Sequence, residues 1–268
     1  GGTHALGTTS SVNADTVVFG GGTVNVDGSY AAAAGTTVSG ATANFDAVGT
    51  VTSIGTALTI SSGVANFISG EAINPTTLSL SGGTLQGTDT VSISGLTTWT
   101  GGTMTGAGIT NANGGISISS ATPKNISALR VLNVAGIPPS TWTGTGFIQT
   151  GTGSVINNSA TWDCQNDVSI TNLFGGAATF NNLASGTFKK SAGTGTTIVA
   201  IPFNNSGSVN VQSGTINLSG GGTSSGSFAG AAGTTLQFGG GTHALGTTSS
   251  VNADTVVFNV GTVNVDGG

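Results

Sequence analysis

The chain has 268 residues, 48 of them glycine, with 36% hydrophobic side chains, 5% charged ones and a net charge of −5. Low charge with a mean hydropathy of +0.25 excludes the kind of disorder that goes with strong charge and few apolar groups, and four Lys plus Arg leave no electrostatic footprint for nucleic acid. No apolar run of about eighteen residues is present to insert in a membrane, and the single cysteine, Cys164, cannot close an internal disulfide.

Good helix formers are scarce while Val, Ile, Thr and Phe abound between glycines, which makes this a strand-and-turn chain. It opens on GGTHALGTTSSVNADTVVF, Gly1 to Phe19. A turn motif then recurs as GGTVNV at 21–26, GATANF at 40–45, GVANF at 63–67, GGTLQG at 82–87 and GGTMTG at 101–106. Its threonines, Thr23, Thr42, Thr84 and Thr103, stand one or two steps apart, each step the length of one solenoid coil. Short period-two segments fill the intervals, including Leu78–Leu80, Val91–Ile93, Ile116–Ile118, Val209–Val211, Ile216–Leu218 and Leu236–Phe238. Each sets branched or aromatic residues against Ser, Asn or Gln, the pattern of a strand with one dry and one wet face.

Further along, Trp99, Trp142 and Trp162 each follow a threonine. On an outer sheet, such aromatics would stack on sugar rings; inside, they would fill wide coils. Asn157-Asn158, Asn181-Asn182 and Asn204-Asn205 mark a second register whose steps match the glycine-led period. They are read as a structural ladder at turns, where stacked amides satisfy one another. Asp163 and Asp167 form the densest acidic cluster, read as a solvated turn. Lys189-Lys190 is read as an outward pair.

The chain then begins again: the nineteen residues from Gly1 return from Gly240 to Phe258, so that His4 recurs as His243. So long a period means tandem duplication, with 1–239 as one unit and 240–268 as the start of the next in one continuous solenoid. With no secretory signal before it, Gly1 is read as an internal position of something longer.

These observations predict an all-β fold, a parallel β-helix (β-solenoid) with coils of about 19–24 residues, coiling right-handed as parallel crossovers do. A unit of about twelve coils, stacked at about 4.8 Å, would rise about 55 to 60 Å. A sandwich, barrel or propeller predicts no turn motif at this spacing.

The segments at 81–108 and 203–243 resemble the tandem β-helical regions of very large bacterial surface proteins, filamentous-haemagglutinin-like and autotransporter-adhesin-like. That resemblance implies a secreted, rod-like protein at a cell surface or in an extracellular fibre, and it brings no catalytic residues with it.

The residues themselves point away from catalysis. A polysaccharide-active enzyme needs an acid, a base and charge stabilisation together, and the nine acidic residues are scattered apart from Asp163 and Asp167. His4 and His243 are one repeat position, Cys164 has no histidine near it in sequence, and the glycine clusters lack the Lys-Ser/Thr ending of a phosphate loop. No cofactor, metal or catalytic residue is expected. The first expectation is a structural unit of an extracellular or cell-surface filament whose partner is itself. A glycan-binding adhesin stalk comes second and a polysaccharide-active enzyme third.

Overall fold

The computed structural model describes residues 1–266. It is all-β, with no helix among the described residues, and stacks parallel strands into a β-solenoid of about 13 turns. Each turn carries three short strands, and each strand pairs with its counterpart one turn away. Three ladders result. The first starts at Thr3–Leu6 and Thr23–Val26 and ends at Thr235–Phe238 and Thr255–Phe258. The second runs from 11–14 through 29–32 and Thr50–Ile54, resumes at Ile73 and Thr90–Ile93, and ends at Thr242–Leu245 and Thr262–Val265. The third runs from 16–19 through 35–38 to Ser227–Gly230 and Ser250–Asn252.

Strand alternation builds the core. Val26, Phe45, Phe67, Leu80, Ile93, Ile118, Val211, Leu218 and Phe238 are all buried, while Val24, near the first turn, is partly covered. Aromatic rings gather where coils stack: Phe19, Tyr30, Phe45 and Phe67 low in the rod, and Trp162, Phe180, Phe188 and Phe203 in the middle with centroids 5.2 to 5.3 Å apart. Rings at this spacing add attraction beyond the area they bury. Glycine is required at some corners: Gly87 has φ +112°, and a Cβ there would run into the Phe67 carbonyl one coil below.

Coil length is more variable than the sequence spacing implies. Thr84 stacks on Thr103, a coil at the short end of the expected range, whereas Ser169 stacks on Ile198, a coil half as long again. The long coil sheds its surplus outward at corners, leaving Leu173 and Phe174 exposed, and the first ladder narrows there to two pairs, Ser169 with Ile198 and Ile170 with Val199. The second ladder is interrupted between Thr50–Ile54 and Ile73. There a small cleft of about 70 Å³ opens, and the Glu71 carboxylate takes the Val51 N–H.

Candidate functional site

Strand parity decides where each polar residue goes. In Val155–Asn158, Thr179–Asn182 and Phe203–Asn205, Asn158, Asn182 and Asn205 face inward with Ile156, Phe180 and Phe203, and Asn157, Asn181 and Asn204 face the other way. These residues lie in strands, not at turns as their left-handed tolerance suggested, because their neighbours complete the alternation. They form two files. In the outer one, Asn204 donates to Asn181, Asn181 to Asn157 and Asn157 to Asn133, at 2.8 to 2.9 Å. It continues through Asn133 to Asn111 and from Asn111 to the Ser92 hydroxyl. In the inner file, Asn158 donates to Asn182 and Asn182 to Asn205, both at 2.9 Å. Asn25, Asn44 and Asn66 make a third file on the first ladder. Asn111 and Asn133 escaped the sequence reading, although each sits at the third position of a strand like Asn157.

The same parity corrects the reading of the lysines. Lys190 shares its face with Phe188 in Thr187–Lys190 and is fully buried. Its ammonium donates to Asp167 at 2.6 Å and to the Asn166 carbonyl at 3.1 Å. Lys189, on the outer face, pairs with Asp163 at 3.3 Å. Asp163 is not in a solvated turn: it is a buried residue of Thr161–Cys164, held also by Gln165. The Lys190 hydrogen bond, with a second from the Gly195 N–H, holds the Asp167 carboxyl below its usual range. Both carboxylates considered for sugar chemistry are thus engaged by cations of the next coil.

Other charges are also tied up. Arg130 is buried and donates twice to the Thr110 hydroxyl, at 2.7 and 3.1 Å. Asp89 accepts from the Ser69 hydroxyl and N–H and from the Gly70 N–H. Lys124, buried against the Ser120 carbonyl and hydroxyl, is pulled down to about 8 by desolvation. Burial pushes the Cys164 thiol up to about 12, where it is no nucleophile near neutral pH. Among the described residues, no three of His, Cys, Asp and Glu gather in a group able to hold a metal ion.

Trp99, Trp142 and Trp162, considered for sugar stacking, are inside the rod with at most 1% of their surface exposed. Their strand positions match those of core residues: Trp99 and Trp142 both stack on Ile118. No sugar ring can reach them.

What remains is the repeated segment. In its first copy, Phe19 is covered by Tyr30 and Phe45 of later coils, while His4 is exposed. In the second, His243 is 3% exposed with its ring 5.0 Å from Phe238 of the preceding strand, and Phe258 is 57% exposed. Burial holds the His243 imidazole below its usual pKa, against the pull of its hydrogen bond to the Gly240 carbonyl. Each copy is covered on the side where the other is bare. No protein-family model, curated protein or solved structure matches the chain.

Proposed function

We propose that this chain is a building unit of an extracellular or cell-surface filament, in which β-solenoid units continue coil on coil along one axis. The partner of each unit is another copy, joined to it covalently in a tandem array or stacked on it head to tail. One observation carries this reading: the same nineteen residues occur at two levels of one rod, from Gly1 and again from Gly240. A surface that repeats along an axis and bonds to its own next copy generates a heterologous, non-closing assembly, and paired coils remove the open strand edges that would otherwise promote disordered pairing.

The role is scaffolding rather than catalysis. The Asp163, Asp167, Asp89 and Glu71 carboxylates serve lysines and backbone N–H groups, and the polar surface carries files of Asn, Ser and Thr. The glycan-binding stalk loses its aromatic row to the core. Electron microscopy of the native material tests the proposal: unbranched filaments with a cross-β axial spacing of about 4.8 Å are expected, and discrete, separate copies would refute it.

A further inference from the structure

The two copies of the repeated segment lie on different faces of the rod. In the first copy, Thr3–Leu6 belongs to the first ladder, 11–14 to the second, 16–19 to the third and Thr23–Val26 to the first again. In the second copy, Thr242–Leu245 belongs to the second ladder, Ser250–Asn252 to the third, Thr255–Phe258 to the first and Thr262–Val265 to the second. Every strand of the repeat has moved forward by one face.

Counting rungs gives the cause. Climbing the first ladder from Thr3–Leu6, the eleventh rung above it is Thr235–Phe238, and the next strand of the chain is Thr242–Leu245. One period therefore spans eleven full turns and one further strand, about 54 Å of rise at about 4.8 Å per turn, rather than twelve turns. A number of strands that leaves a remainder of one on division by three cannot return the sequence to the same face.

Nothing in the segment ties it to a particular face. Thr3 stacks on Thr23 and His4 on Val24 in the first ladder, and Thr242 stacks on Thr262 and His243 on Val263 in the second, so the contacts between successive coils of the repeat survive the change. A period-two strand needs only an inside, an outside and a parallel neighbour.

We propose that successive units in the array are related by a rise of about 54 Å combined with a third of a turn, so that the filament repeats only after three units, about 160 Å. This rests on the filament reading above and specifies how the next copy meets this one. Any feature confined to one face of a unit is then distributed over all three. The outer asparagine file, on the second ladder here, stands on the third ladder in the next unit and on the first in the one after. A partner that reads one side of the rod meets that file once in three units.

Helical reconstruction of native filaments by electron cryomicroscopy decides it, with the rotation per unit measured against the twist per coil in the same map. A third of a turn per unit beyond accumulated twist is expected, and a shortened unit lacking one whole coil, residues 57–76, should lose about 4.8 Å of rise and keep that third of a turn. Continuous filaments whose units superpose by translation alone would overturn the rotation and leave the filament standing. Discrete copies would overturn both.

Discussion

Residues 1–26 and 240–265 are nearly the same sequence in two surroundings, and their burial diverges at the two ends of the segment: the opening strand is better covered in the second copy and the closing strand in the first. Val26 is 1% exposed and its counterpart Val265 is 62% exposed; Phe19 and Phe258 differ in the same sense, and His4 and His243 in the opposite one. Since the amino acids are the same, the difference belongs entirely to the coils above and below. In a solenoid each coil contacts only its neighbours, so stability is close to a sum of coil terms and interfaces between coils. Strand parity decides whether a side chain faces in, and the adjacent turns decide how completely it is covered.

The largest expected effect contrasts the phenylalanines. Phe19→Ala empties a site bounded by Tyr30 and Phe45 and should cost roughly 3 kcal/mol or more. Phe258→Ala removes a ring stacked on one side only, on Phe238 at 5.6 Å, and should cost less than about 1 kcal/mol. Denaturant midpoints of the two variants measure this, and equal losses would break the comparison. A smaller contrast follows for the valines: about 1 to 2 kcal/mol for Val26→Ala from the lost apolar burial, against a few tenths for Val265→Ala. In native filaments the Val265 and Phe258 variants should become as costly as their counterparts, because the missing coil is then in place.

The smallest effect is a pH dependence. Because burial depresses the His243 pKa, the unfolded chain takes up a proton before the folded one does as pH falls below about 6.5. Stability contributed by the neutral, buried ring is therefore full above that pH and declines below it. His243→Gln should flatten the part of the stability profile just below about pH 6.5; an unchanged slope there would show that the ring is hydrated in solution.

Much of the fold was legible because a strand period of two survives any local composition. The same parity, applied strictly, places more: Lys190 follows Phe188 by two positions and Asn158 follows Ile156 by two, which puts both inside. Treating charged and amide residues as outward or as turn-formers misplaces them. The tryptophans are settled by strand position rather than by chemistry, since an indole suits a sugar and a core equally well. Face assignment was not legible at all. When one coil is half as long again as another, the distance from Gly1 to Gly240 along the chain does not reveal whether the period closes on a whole number of turns; only the strand pairing shows the remainder.

One backbone group has an influence well beyond its own coil. The Thr223 N–H, with its hydroxyl, donates to the Asn204 side chain, and only the amide oxygen can receive a backbone N–H. That choice turns the Asn204 nitrogen toward Asn181, whose oxygen must face it, and the same constraint passes through Asn157 and Asn133 to Asn111. A column of amides otherwise has two equivalent orientations, like a row of compass needles free to point either way. Thr223 sets the needle at the top, and five side chains on successive turns inherit its direction, carrying a local orientation along the rod with no movement of the backbone.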